Sequence, residues 1–273
     1  MPHPWDPDFV ERSPLFEPLR AAMSELRTPH WPDCNDLNRA IAACGRSIST
    51  GDGRLLRYVE QQLRQSSFED KYELRIYLRG EVQFRPCNWH DLFNALVWLT
   101  FPAAKAALNR RHYAELQSSR ANGKPNRGAV QDTLTLFDEG GLIVASDDAA
   151  LTALLTGHRW KDLFWQRRTE VARTMRFYLF GHALYEKALQ PFVGVSGRAA
   201  IFEVESAFFD APLSAQLGEL DLRLSSRLGD VQRFAAPCDL APIPILGIPG
   251  WFEGNAVEHF YDNTDYFRPL QRR

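Results

Sequence analysis

The stretch Cys87-Asn88-Trp89-His90-Asp91-Leu92-Phe93-Asn94-Ala95-Leu96-Val97-Trp98 decides how the rest of the chain is read. Asn88 is a good N-cap, and Asp91, three residues on, completes a variant of the capping box. After the first turn the segment is apolar on nearly every side through Trp98, Leu99 and Phe101, which predicts a buried central helix. His90, Asp91 and Asn94 nevertheless fall within roughly 100° of one another on a helical wheel. Polar groups at the mouth of an apolar helix must be paired or must act on something. These three are the first candidates for a catalytic site.

Upstream, residues 72–78 and 82–85, with Arg79-Gly80 between them, predict a hairpin whose second arm runs into the central helix. Further back, a Pro- and aromatic-rich segment carries a short helix over 15–26. An extended connector follows at His30-Trp31-Pro32, then a helix over 36–44 capped by Asn35. Downstream, Pro102 suits a first helical turn, and a helix over 103–117 carries Asn109 and His112. Residues 118–128 predict a polar, mobile loop. A helix tail, a stop at Gly140-Gly141 and a strand over 142–145 come next. Helices are expected at 148–156, 160–165 and 169–190, a strand at 198–205 and a helix at 212–224. The prolines of 242–251 predict a segment that wraps across the body in extended form. The expected fold is α+β and mainly α-helical, with a small antiparallel sheet or hairpin packed on the buried central helix. Residues 1–70 are expected to pack on a 71–269 core, giving a single domain.

Three more polar sets stand out. Tyr178, His182, Tyr185 and Glu186 lie close in sequence, and His182 and Glu186, four apart, share a helical face that can hold one metal ion or one proton. The same spacing also makes an ordinary solvated pair. His112, Asp132, Asp138 and Glu139 form a second set, whose carboxylates before Gly140-Gly141 suit a hard cation such as Mg²⁺. They suit a plain turn as well, and the turn is preferred. The third set, Asn255, Glu258, His259, Asp262, Asn263 and Asp265, is embedded among Trp251, Phe252, Phe260, Tyr261, Tyr266 and Phe267. It predicts an anchored segment whose polar groups close over a pocket.

At 273 residues the chain can bury an ample core, and 45% hydrophobic with 24% charged residues is ordinary for a globular protein. A formal net charge of -2 gives no global reason to expect nucleic acid or an acidic membrane surface. Cys34, Cys44, Cys87 and Cys238 have no C-x-x-C spacing and read as free thiols in a reducing compartment. Neither a signal core nor an apolar run long enough to span a membrane is present, so a cytoplasmic location is expected. No G-x-S-x-G, Walker loop, G-x-G-x-x-G or H-E-x-x-H occurs, which leaves a nucleotide cofactor and a serine hydrolase without support. His90-Asp91 is also the doublet of helical HD-type metal phosphohydrolases, although the remaining ligand spacing is too free to be diagnostic.

Several longer runs carry a resemblance. Asn88-Trp89-His90-Asp91-Leu92-Phe93-Asn94-Ala95, Asp132-Thr133-Leu134-Thr135-Leu136-Phe137-Asp138-Glu139, Phe180-Gly181-His182-Ala183-Leu184-Tyr185-Glu186 and Pro249-Gly250-Trp251 resemble a bacterial family catalogued as domain of unknown function 3025. Phe260-Tyr261-Asp262-Asn263 and Phe267-Arg268-Pro269 fit it too. The resemblance runs from about residue 72 to 269 and implies one family-wide domain. It supplies no activity, cofactor or catalytic residue.

Three readings follow. In the first, the protein is a metal-assisted hydrolase, with phosphoesters among the candidate small-molecule substrates. His90, Asp91, Asn94, His182 and Glu186 are then the catalytic candidates, and His90, His112, Asp138, His182 and Glu186 the candidate ligands for Mg²⁺, Mn²⁺ or Zn²⁺. In the second, the same residues form a buried hydrogen-bond network and the aromatic C-terminal segment docks a protein partner. The third, nucleic-acid processing, requires Arg110, Arg111, Arg127, Arg167 and Arg168 to flank the cleft. Convergence of both histidines and a carboxylate beside an open cleft favours the first reading.

Overall fold

The computed structural model describes residues 4–26, 28–45, 47–61, 67–123 and 128–270. In chain order the elements are α1 (Arg20–Ser24), α2 (Cys34–Ala43), β1 (Arg57–Glu60), α3 (Tyr72–Arg79), β2 (Glu81–Phe84), α4 (Trp89–Thr100), α5 (Pro102–Ala121), α6 (Ala129–Gly140) and β3 (Gly141–Ser146). They continue as α7 (Ala149–Thr156), α8 (Arg168–Thr174), β4 (Met175–Leu179), α9 (His182–Ala188), β5 (Ser196–Glu203), α10 (Leu213–Gly229) and β6 (Ala241–Pro244). Short 3-10 turns and one π turn (Asp162–Gln166) join them. The architecture is mainly helical α+β.

The central helix forms where the sequence places it. Asn88 accepts from the Asp91 N–H at 2.9 Å, and every residue from Leu92 to Leu99 is buried. Phe9 and Phe16 pack their rings against Trp89, Phe93 and Tyr185, so the N-terminal segment covers one flank of α4 and α9. A single hydrophobic cluster runs from Phe9 to Phe267.

Two sheets lie beside this helical body. β1 and β2 pair in parallel. The larger sheet has the order β4-β3-β5-β6, with β3 buried at every position, antiparallel to β4 and parallel to β5, and β6 antiparallel at the far edge. β6 explains how Pro242 and Pro244 fit a regular element, because an edge strand tolerates a missing N–H. The stretch after it closes into a 3-10 turn over Ile245–Gly247.

The structure corrects several local expectations. The hairpin over 72–85 does not form: its first arm is α3, and β2 pairs with the earlier β1 instead. Tyr72, Leu74, Ile76 and Leu78 alternate like a strand, but Gly80 at φ +71° is a left-handed helix stop whose N–H returns to Ile76. A Cβ at Gly80 would sit 2.2 Å from the Leu55 carbonyl oxygen. The expected long helix over 169–190 breaks into α8, β4 and α9, because the aromatic run Phe177-Tyr178-Leu179 is better placed on the sheet. The cap of α2 is Asp33, which forms a reciprocal capping box with Asp36; Asn35 lies inside the helix. The expected helix over 160–165 is a π turn over Asp162–Gln166. The expected loop over 118–128 begins later, since α5 continues to Ala121, and residues 124–127 lie outside the described residues. Among the described residues no helix is long and apolar enough to cross a membrane.

Candidate functional site

Three helix ends meet at one place. His90 stands in the first turn of α4, Asp138 and Glu139 end α6, and His182 opens α9. The approach of α9 to the end of α6 depends on Gly181. A Cβ there would lie 2.4 Å from the Gly141 nitrogen and 2.5 Å from the Glu139 carbonyl oxygen. With no side chain in the way, the N–H groups of Phe180 and Gly181 both donate to the Gly141 carbonyl, at 3.0 and 2.9 Å. This clamp delivers His182 beside the two carboxylates.

The side chains converge tightly. His182 Nε2 is 3.1 Å from His90 Nε2, and Glu139 Oε2 is 3.4 Å from His182 Nε2 and 3.9 Å from His90 Nε2. Among the described residues these three form the one group of His, Cys, Asp and Glu whose ligand atoms all lie within 4.8 Å of one another. Adjacent ligands of a single Zn²⁺-like ion, each at ~2.0–2.2 Å, are separated by roughly 3.0–3.5 Å. The observed edges are close to that spacing. Two imidazoles and a carboxylate also suit Zn²⁺ or another first-row ion better than Mg²⁺, which favours oxygen.

A second layer of charge stands behind the cluster. His90 Nδ1 faces Glu186 Oε2 at 3.4 Å, and His182 Nδ1 faces Asp138 Oδ1 at 3.9 Å. Each imidazole thus turns one nitrogen to the cluster and the other toward a carboxylate, the arrangement that orients histidine ligands of metals. Asp138 also takes the buried Lys105 ammonium at 2.5 Å, and Lys105 donates to Asn94 Oδ1 at 2.9 Å. Asn94 in turn donates to the Tyr72 hydroxyl at 2.6 Å. Burial alone would raise the Asp138 carboxyl, but Lys105 and His182 bring it below its usual range. Burial pushes the His182 imidazole down to about 4, against the pull of Asp138, with Lys105 and His90 adding to the fall. His182 is therefore neutral near pH 7, as a ligand must be, and its buried Nδ1 has no hydrogen-bond partner. Glu139 is raised by burial and by the neighbouring Asp138 charge.

A cavity of about 310 Å³ opens over the cluster, lined also by Tyr72, Glu73, Arg85, Asn94 and His112. The candidates from the sequence separate here. His90 and His182 meet as expected. Glu186 lies outside the three-residue cluster and stands against His90 Nδ1. Asp138 stands behind His182 in the Lys105 pair rather than in the cluster. Asn94 is a linker within the buried network. Asp91 faces the cavity but is held by Arg85, through its backbone N–H at 2.8 Å and its side chain at 2.9 and 2.7 Å. His112 lines the same cavity outside the three-residue cluster, and Asp132 is exposed.

None of the C-terminal set lines this cavity; Asp265 lines a separate one beside Trp160 and Pro244, and Asn255 is buried as a structural bridge. The arginines of the nucleic-acid reading are engaged elsewhere. Arg111 donates to the carbonyls of Leu228, Asp230 and Val231, and Arg110 to that of Gly51. Arg167 pairs with Glu170, and Arg168 grips Asn255. Arg127 lies outside the described residues.

Glu139 as the converging carboxylate is not legible in the sequence, because a carboxylate before two glycines reads as a turn. Lys105 is missed as well, although its signal is present: Lys105, Asn109 and His112 repeat at helical spacing and mark one polar stripe on α5.

No curated protein and no solved structure matches the chain. The family described as "Protein of unknown function (DUF3025)" matches residues 56–272, a span that includes α4, α6, α9 and the whole cluster they bring together. The chain belongs to the DUF3025 family.

Proposed function

We propose that the protein is a metal-assisted hydrolase whose ion is held by His90, His182 and Glu139. The observation that carries this reading is the meeting of two imidazole Nε2 atoms and one carboxylate oxygen at 3.1, 3.4 and 3.9 Å beside an open cavity. Glu186 and Asp138 would orient the two rings from behind. When bound, the ion would lower the pKa of a coordinated water and polarise the scissile carbonyl or phosphoryl group. The net reaction adds water across that bond: its oxygen joins the electrophilic centre, and one proton passes to the leaving group. The second oxygen of Glu139, a carboxylate already in the cluster, would carry that proton.

The electrostatics favour an ester or amide over a phosphoester. Among the described residues Arg85 is the one Lys or Arg lining the cavity, and its guanidinium is already committed to Asp91. With Asp138 balanced by Lys105 and Glu139 part of the cluster, Glu73 is the charge left on the rest of the wall, and it opposes a phosphate dianion.

The test is the metal content of protein purified without chelator or metal-affinity resin, for the native chain and for His90→Ala, His182→Ala and Glu139→Gln. About one Zn²⁺ or other first-row ion per chain, lost in all three folded variants, is the expected result. A native protein that neither carries nor takes up such an ion overturns the reading. The two histidines are then a hydrogen-bonded pair inside a structural network.

A further inference from the structure

Four carboxylates line the cavity, and three of them are already engaged. Asp91 is held by Arg85, Asp138 by Lys105, and Glu139 belongs to the dihistidine cluster. Glu73 is different. Its Oε2 accepts from Asn109 Nδ2 at 2.7 Å, and the same amide nitrogen also donates to the Glu73 carbonyl at 2.9 Å, which fixes the side chain in place. Among the described residues no lysine, arginine or histidine pairs with this carboxylate. A fixed anion without a counter-charge, on the wall of an open cavity, is poised for a cation.

A second group points the same way. His112 is 4% exposed, lines the cavity, and forms no hydrogen bond with any described residue. Its ring nitrogens reach the open space of the cavity, where a polar ligand or water can meet them. Tyr72 adds a third contact. It lines the same wall, and its oxygen accepts from Asn94. Glu73 and His112 are not members of the His90–Glu139–His182 cluster; Asn109, one turn before His112 on α5, holds Glu73 against the same part of the cavity wall, a second polar subsite.

We infer that Glu73, assisted by His112, binds a cationic nitrogen group of the substrate, an ammonium or guanidinium, while the dihistidine cluster faces the bond to be cleaved. The binding half of this inference needs only Glu73 and the cavity. Its second half rests on the hydrolase reading and makes the substrate an ester or amide that carries a positive charge. An ion held by His90, His182 and Glu139 would give that end net positive charge, and Glu73 makes the other end negative. Such a cavity orients a substrate with an electron-rich carbonyl at one end and a cation at the other.

The experiment uses full-length protein with ¹⁵N-labelled histidine, titrated with butylammonium, butan-1-ol and butyrate at fixed ionic strength. It is run with Zn²⁺ and again after chelation. Butylammonium is expected to shift the His112 resonances in both states, about tenfold tighter than butyrate. Glu73→Gln keeps an acceptor for Asn109 and so keeps the fold, yet it should lose that preference. The inference is overturned if butyrate or butan-1-ol moves His112 as readily, or if Glu73→Gln keeps the preference. It is also overturned if butylammonium has no effect up to about 50 mM, a weak limit even for a ligand of this size. Zn²⁺ itself is read on the His90 and His182 resonances. Their failure to respond would overturn the metal site and leave the Glu73 result to stand or fall by itself.

Discussion

The cavity over α4, α6 and α9 and the C-terminal segment 245–268 are both dense in polar side chains set among aromatics, but they treat those side chains in opposite ways. In the C-terminal segment the buried polar atoms end on main-chain carbonyls. Asn255 Nδ2 donates to Leu246 and Ile248 at 2.8 and 2.7 Å, Tyr261 to Gly247 at 2.9 Å, and Tyr266 to Val195 at 2.7 Å. Arg168 completes the bridge from α8 through both the carbonyl and the side chain of Asn255. In the cavity the polar atoms meet other side chains and open space, and His182 Nδ1 is left without a hydrogen bond. Main-chain carbonyls are fixed partners that serve packing. Side chains arrayed against one another around a void can be rearranged by a ligand.

The largest effect should come from the Lys105–Asp138 pair, both members of which are buried. Lys105→Met or Asp138→Leu alone strands one charge in the interior and should cost about 3–5 kcal/mol in chemical denaturation. The double variant Lys105→Met/Asp138→Leu should recover most of that loss, because apolar groups can replace a buried pair. A double variant as unstable as either single one would mean that the cavity network is as rigidly structural as the C-terminal bridge.

Asn255→Ala is the counterpart. It removes the amide that serves the Leu246 and Ile248 carbonyls and the side-chain acceptor of one Arg168 N–H at a site that is 1% exposed, and should cost about 2 kcal/mol. No second side-chain change can rescue it, since the stranded acceptors belong to the main chain. Metal retention should be unchanged. Loss of metal in a folded Asn255→Ala protein would erase the distinction between the two regions.

Gly181→Ala tests the clamp that brings the regions' shared helical frame to the cluster. The added methyl meets the backbone of Gly141 and Glu139, which cannot rotate aside, so α9 must shift. A loss of about 2 kcal/mol is expected, together with weakened metal binding as His182 moves from Glu139. Full metal affinity in this variant would show that the approach of α9 is not what assembles the site.

How much of this was readable beforehand follows from the range of each interaction. The cap at Asn88 and the apolar run after it are local, and they located α4 and His90. His182 is legible because it stands four residues from Glu186 on one helical face. Its partner was not found, because the distance between α6 and α9 is set by Gly181 against Gly141, and neither glycine shows in a helical wheel. The split of 169–190 was hidden for a similar reason: β4 exists through pairing with β3, thirty-odd residues away. Asn255 illustrates the reverse error. Its neighbours made it look like part of a lid, and only the positions of the Leu246 and Ile248 carbonyls reveal a bridge.

The smallest effect on stability, and the sharpest on the comparison, belongs to Glu186→Gln. The Glu186 side chain is 47% exposed and its contact with His90 Nδ1 is 3.4 Å, so its contribution to folding should be within about 0.5 kcal/mol of zero. A purely structural histidine pair would scarcely register the change. An outer carboxylate on a metal-bound imidazole is different, since it fixes the ring and raises its basicity, and its loss typically weakens metal affinity by about 10–100-fold. Competition against a chromophoric chelator reads that affinity directly, and urea unfolding of the metal-free protein reads the stability. A variant that keeps its stability and loses affinity assigns Glu186 to the site, although it touches neither Glu139 nor His182. Equal affinity would leave His90 oriented by α4 alone and return Glu186 to the solvated surface of α9.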